Sequence, residues 1–246
     1  MSLAKALETL DVESVFLTCN HSEAISRIQR FGLEVCELRM ADLWNEQDSA
    51  FTVDVAAERE CDAIVVDSYL ANSEYISNIS NDNLVTCAID DMASYSYPCQ
   101  LVVNGNLNAN ELFDLSTSGD TLFLLGPEYL MLQQEFWDKS SFVVRPTVHN
   151  ILVVLGGSDS YELMPSILSM LDDLQYDFII NAIIGPFADT EHNVKQVIDK
   201  SRHVINLFHA PDTLQELMLQ ADLAISAGGQ TLYELLCVGC PTVAIE

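Results

Sequence analysis

Basic side chains are scarce in this sequence: ten lysines and arginines stand against thirty-seven aspartates and glutamates, a formal charge of −27 over 246 residues. A surface of that sign repels phosphate backbones and anionic headgroups, which argues against nucleic acid and acidic membranes as partners; a salty habitat would produce the same excess of acid. Long apolar runs are missing too. None approaches the roughly 20 residues needed to cross a bilayer, and the first residues lack the basic start and apolar stretch of a secretory leader. The expectation is a cytoplasmic protein without membrane insertion. A paired cysteine framework is also absent. The seven cysteines are odd in number and most sit in apolar runs, as reduced buried thiols do. Cys237-Val-Gly-Cys240 has CxxC spacing, but no second Cys/His pair lies near it, so no metal is expected. The GxGxxG fingerprint and the Gly-Lys-Ser/Thr of a Walker loop are missing, and no cofactor is expected. Of the five histidines, His21 alone falls at a first-half strand end, where a solvent-facing residue is the weightier reading than a crevice residue.

What is present is material for a core, with hydrophobic residues at 49%, arranged as short β-branched runs alternating with amphipathic stretches. That is the pattern of parallel sheets covered by helices. The runs predict strands at 14–19, 34–38, 63–69, 84–90, 100–104 and 121–125, with helices at 2–10, 22–31, 50–59 and 72–79. A polar segment at 138–150, containing Arg145-Pro146, reads as a linker. A second series then begins: strands at 151–155, 178–184, 204–208, 223–226 and 242–245, and helices at 161–171, 193–200, 213–221 and 231–237. Two α/β lobes are expected, at 1–140 and 148–246. A doubly wound lobe ordinarily opens on a strand, whereas this chain opens on a helix and closes on a strand. It is therefore expected to be a piece of a longer protein, with both lobes incomplete.

Two segments carry chemistry. In Leu223-Ala-Ile-Ser-Ala-Gly-Gly-Gln-Thr-Leu-Tyr-Glu234 a buried strand runs into Gly228-Gly229, and Thr231 opens a helix. The N–H groups of Gly229, Gln230 and Thr231 would then face the crevice, an anion site that needs no basic side chain. Glu234, one turn on, is placed to accept both hydroxyls of a ribose. Thr231-x-x-Glu234 is equally a capping box; the two glycines, which a plain cap does not need, favour binding. Ile151-Leu-Val-Val-Leu-Gly-Gly-Ser-Asp159 repeats the arrangement, with Gly156, Gly157 and Ser158 at the turn and Ser158 or Asp159 as the ordinary cap. In the first half, Asp67-Ser-Tyr69, Asp90-Asp91 and Asn104-Gly-Asn106 close successive strands, where polar residues either line a ligand crevice or form turns and caps.

The ordered set Val66-Asp-Ser-Tyr69, Ile89-Asp-Asp91, Val103-Asn104, Gly126-Pro-Glu-Tyr129, Leu155-Gly-Gly-Ser-Asp159 and Ile225-Ser-Ala-Gly-Gly-Gln-Thr-Leu-Tyr-Glu234 resembles the UDP-sugar hydrolases of pseudaminic acid biosynthesis and their relatives, the spore-coat-polysaccharide glycosyltransferase-like proteins. These are similar in fold to the GlcNAc transferase of peptidoglycan synthesis. The resemblance implies two facing Rossmann-like lobes of the GT-B type and release of UDP from a diacetamido-trideoxy hexose nucleotide, with other enzymes of the pathway as partners. A transferase of the same fold and a non-catalytic nucleotide-sugar-binding module are the alternatives. Carried over residue by residue, Gly156, Gly157, Ser158, Gly228, Gly229, Gln230 and Thr231 would approach the diphosphate. Glu234 would take the ribose and the backbone near Phe208 the uracil, while Asp67, Tyr69 and Asn104 would face the sugar. Two departures stand out. The family's Gly-x-Gly-His-x-x-Arg loop, which carries the expected general base, would precede Met1 and has no counterpart here. The family's Asp-His-Tyr reads Asp67-Ser68-Tyr69. Weak or absent turnover is the expectation.

Overall fold

The computed structural model describes residues 1–19, 22–38, 45–81, 83–93, 95–113, 119–137, 144–159 and 161–245. His21 and the first part of the 138–150 segment lie outside these residues. The chain divides into two compact units, Met1–Met131 and Leu132–Glu246.

In unit 1, helix α1 (Ser2–Glu8) leads into β1 (Val15–Cys19), α2 (Ser22–Arg30) and β2 (Glu34–Leu38). β1 and β2 pair in parallel as a two-stranded sheet. Its small core of Ala4, Ile28 and Leu33 joins α1 and α2 to it. Helix α3 (Glu46–Glu58) then precedes β3 (Ala63–Asp67), α4 (Ser73–Ile79), β4 (Val85–Ile89), β5 (Leu101–Asn104), the short α5 (Ala109–Leu112) and β6 (Leu122–Leu125). β3 to β6 form a second, four-stranded parallel sheet in simple sequential order. Ile76, Ile79, Ala88 and Val102 are buried at its centre. The strand order of this sheet does not reverse.

Unit 2 begins with a single 3-10 turn, Gln134–Phe136. It continues through β7 (Asn150–Val154), α6 (Leu163–Asp172), β8 (Ile179–Ile184), α7 (Glu191–Ile198), β9 (Val204–His209), α8 (Gln215–Gln220), β10 (Leu223–Ala227), α9 (Gln230–Val238) and β11 (Thr242–Ile245). All five strands are parallel, in the order β11-β10-β7-β8-β9. The period-two alternation of β7 explains the layering. Ile151 and Val153 enter one core with Met164, Leu168 and Val194 of α6 and α7. Leu152 and Val154 enter the other with Met218, Leu235 and Val238 of α8 and α9. Helices thus cover both faces, and the strand order reverses at β7, which is the doubly wound arrangement.

The segment ahead of β7 belongs structurally to unit 2. Phe136 is buried in the core with Leu235 and Val238. Arg145 Nη1 lies 2.6 Å from Asp222 Oδ1, while the Asp222 Oδ2 accepts the backbone N–H groups of His149 and Asn150 at 2.8 Å. The sequence reading placed the change of lobe inside this segment; a buried phenylalanine and a buried acid attach it to the second unit.

Candidate functional site

The register of unit 2 brings its two glycine turns together. Ser226 of β10 pairs with Val154 of β7. The chain therefore leaves adjacent strand ends as Gly156-Gly157 and Gly228-Gly229, on either side of the point where strand order reverses. In open α/β sheets that is where ligands bind. Gly157, Ser158, Gly228, Gly229 and Gln230 are exposed, so neither turn is packed shut.

The two helix starts that follow differ electrically. At α6, Asp159 folds back: its Oδ1 accepts the Leu163 N–H at 2.9 Å and its Oδ2 the Met164 N–H at 3.1 Å. A carboxylate thus already satisfies the first amides and the positive helix end. The capping alternative holds there, through Asp159. At α9 the cap residue is Gly229, with no side-chain cap hydrogen bond, and a Cβ added to Gly229 would meet nothing within 4 Å. The helix begins at Gln230, one residue earlier than expected, which places Glu234 beyond the third position that a capping box requires. The capping-box alternative for Thr231 and Glu234 therefore fails. A solvent-exposed helix start remains, with the dipole that favours an anion.

Glu234 is 6% exposed and accepts no hydrogen bond from a described residue. Burial, followed by the nearby charge of Glu135, pushes its carboxyl up to about 7. Phe208 lies in β9 opposite Ile183, and its side chain packs on the core that contains Phe136 and Met218.

Sequence reasoning missed two features. Gly185, just past β8, lies directly against the first turn: a Cβ there would fall on the carbonyl oxygens of Gly156 and Gly157. Phe187 N–H then donates to Gly157 O at 2.9 Å. A glycine immediately after a strand was the available signal. Glu135 had none, because its place beside Glu234 comes from Phe136 entering the core.

In unit 1, the ends of β3, β4 and β5 stand in register, Asp67 with Ile89 and Ile89 with Val103. Partial burial raises the Asp67 carboxyl; the Met1 α-amino group opposes this and Asp91 adds to it. Tyr69 is exposed, and its hydroxyl donates to Asp91 Oδ2 at 3.1 Å. Asp90 shapes its own loop by accepting from the Met92 and Ala93 N–H groups and from the Tyr97 hydroxyl at 2.6 Å. Asn104 is 2% exposed. Its Oδ1 accepts the Asn106 N–H at 2.8 Å, and its Nδ2 has no partner among the described residues. Asp67, Tyr69 and Asn104 thus sit along one sheet edge.

Cys237-Val-Gly-Cys240 is a helix end: Gly239 takes φ +73° and the Cys240 N–H bonds the Leu235 carbonyl at 3.0 Å. No cluster of three metal-ligating side chains occurs among the described residues, and no described helix is long and apolar enough to cross a membrane.

Residues 151–245 match the glycosyltransferase family 28 C-terminal domain. Over its whole length the chain is 27% identical to an uncharacterized protein of Methanocaldococcus jannaschii, of which it spans 51%. Over 52% of its length it is 31% identical to the spore coat polysaccharide biosynthesis protein SpsG of Bacillus subtilis, covering 38% of that protein. The chain therefore spans about half or less of these curated relatives. Among solved structures it is similar to a glycosyltransferase from Rickettsia africae (TM-score 0.63, 13% identity, 99% of this chain and 73% of that one). MurG of Acinetobacter baumannii gives a TM-score of 0.58 at 11% identity over 94% of this chain and 68% of that one. The UDP-GlcNAc 2-epimerase of Neisseria meningitidis, solved with UDP-GlcNAc, gives 0.56 at 13% identity over 99% and 77%. The fold is thus α/β with parallel sheets, similar to the GT-B glycosyltransferases.

Proposed function

We infer that unit 2 binds a UDP-sugar at the paired glycine turns, and that the protein is a cytoplasmic enzyme that cleaves the bond between sugar and UDP. The observation that carries this reading is the pairing of two exposed glycine turns at adjacent strand ends where strand order reverses, with the largely buried Glu234 one turn into α9. A nucleoside diphosphate fits both features. Its phosphates take the amides of Gly229, Gln230 and Thr231, and its ribose hydroxyls donate to Glu234. The turn at Gly156, Gly157 and Ser158 borders the same place, with the Asp159 carboxylate already on its helix. In this reading α9 carries most of the diphosphate charge, and the backbone near Phe208 takes the uracil. For unit 1 we assign Asp67, Tyr69 and Asn104 to the sugar; the unpartnered Asn104 amide is a donor for a sugar carbonyl or hydroxyl.

The likeness to SpsG and the family 28 domain supports nucleotide-sugar chemistry. The ordered motifs favour hydrolysis: water attacks the anomeric carbon, the carbon–oxygen bond to the β-phosphate breaks, and amides hold the charge on the departing UDP. A positioned base for that water is worth roughly two to four orders of magnitude in rate. Calorimetric titration with UDP and UDP-GlcNAc tests the binding; absence of heat and of thermal stabilisation with both sinks it. Release of UDP and free sugar from a diacetamido-trideoxy hexose nucleotide without acceptor supports hydrolysis. Release only with an acceptor makes it a transferase.

A further inference from the structure

The neighbour of Glu234 in unit 2 is another acid. Phe136 is fixed in the core beside Leu235 and Val238 of α9, so the turn that carries Glu135 packs on the helix that carries Glu234, and the Glu135 charge adds to burial in raising the Glu234 carboxyl. Glu135 is itself held in place. The Thr213 hydroxyl donates to its Oε2, and the Gln215 side-chain amide donates to its backbone carbonyl. The elements packed on α9 are the Gln134–Phe136 turn, α8, β10 and β11. The turn brings Glu135, α8 brings only Glu216, and β10 and β11 carry no ionisable side chain. On α9 itself the ionisable groups are Tyr233, Glu234 and Cys237. None of these elements contains a lysine, arginine or histidine. The turn that carries Glu135 thus packs on the helix that carries Glu234, with no cation from these elements to compensate the two acids; burial first, and the like charge second, favour the neutral form of the more buried one.

We propose that Glu135 is a positioning residue that keeps Glu234 protonated in the empty site, so that a ribose diol binds only as that proton is released to solvent. The inference rests on the nucleotide reading above. An ionised carboxylate accepts from both hydroxyls of a diol, whereas a carboxylic acid must place a proton of its own and accepts less. Binding thus draws Glu234 to its ionised form. The proton passes to buffer, and no covalent bond of the ligand changes. Glu135 acts through Glu234 and does not itself touch the nucleotide.

UDP-GlcNAc is the probe, because its diphosphate is esterified at both ends and carries no group titrating near neutrality. It is titrated calorimetrically into the wild-type chain and E135Q at pH 6, 7 and 8, in paired buffers of unequal ionisation enthalpy. For the wild type we expect release of about one proton at pH 6 and almost none at pH 8, with Kd about tenfold lower at pH 8 than at pH 6. E135Q moves the midpoint of this profile to lower pH and binds more tightly than wild type at pH 6, whereas a merely structural glutamate would leave binding weaker at every pH. E135D restores the wild-type profile. T213V, which frees the Glu135 carboxylate, is the second variant and shifts the midpoint in the same direction as E135Q. Wild-type binding with flat pH dependence and no proton release overturns the proposal, as does an unmoved midpoint in both variants. Absence of binding at all three pH values in every form overturns the nucleotide reading itself.

Discussion

Two acids of unit 2 have opposite fates. For Asp222, burial alone would raise the carboxyl, but the Asn150 and His149 N–H groups and the Arg145 guanidinium outweigh it and hold the pKa below its ordinary value. A depressed carboxyl contributes stability that is full above its unfolded pKa and is lost as pH falls through the folded one. Replacing Asp222 with Ala strands two backbone donors and frees the Arg145 segment. We expect a loss of about 3 kcal/mol in chemical denaturation at pH 7. Unchanged stability would mean that water reaches those amides. Glu234 runs the other way. Its folded pKa, about 7 against an ordinary 4.5, means that the folded state holds the proton longer. Stability therefore falls as pH rises from the unfolded value through the folded one. Glu234→Gln removes that loss. The variant should match wild type near pH 4 and exceed it by up to about 3 kcal/mol at pH 8, read from urea unfolding. Equal stability at both pH values would show that the carboxyl is not strained in the empty site.

At the scale of elements, the strands were legible because buried β-branched runs bounded by polar turns leave little choice. β2 and β11 match their expected bounds, and the others differ by a residue or two at the ends. Helix starts were harder to read, because caps act where the apolar period is silent. α3 begins at Glu46 rather than at 50 because Asn45 Oδ1 accepts the Gln47 and Asp48 N–H groups ahead of any apolar stripe. α9 begins at Gln230 because Gly229 serves as its cap. The two glycine turns were readable as strand-turn-helix units, but their adjacency depends on strand order, which no local pattern encodes. The split of unit 1 into a pair and a four-stranded sheet was likewise invisible. The contrast between the two helix starts predicts separable outcomes for α6. Asp159→Ala removes the cap and should lower stability by about 1 kcal/mol. It should not weaken UDP-GlcNAc binding, since it takes a negative charge from the edge of the site. A fall in affinity with unchanged stability would make Asp159 a ligand contact instead of a cap.

For the whole molecule, the excess of acid dominates long-range behaviour. A net charge of −27 repels itself in the folded state and repels an incoming diphosphate. Salt shortens the reach of that field from about 30 Å at 0.01 M to about 3 Å at 1 M. Thermal unfolding should therefore move to higher temperature as sodium chloride is added. The affinity for UDP-GlcNAc should hold or improve over the same range. A phosphate site built from lysine and arginine loses affinity under those conditions, and a steep loss here would show that cationic side chains supply the grip.

The contact of Gly185 with Gly156 and Gly157 makes the loops leaving β7 and β8 mechanically one part. Neither can gain a residue, nor Gly185 a methyl group, without displacing the other. A scheme that transplants the first loop onto a related scaffold to alter ligand preference must carry the second with it. Swaps made one loop at a time should fail at folding before they report anything about selectivity.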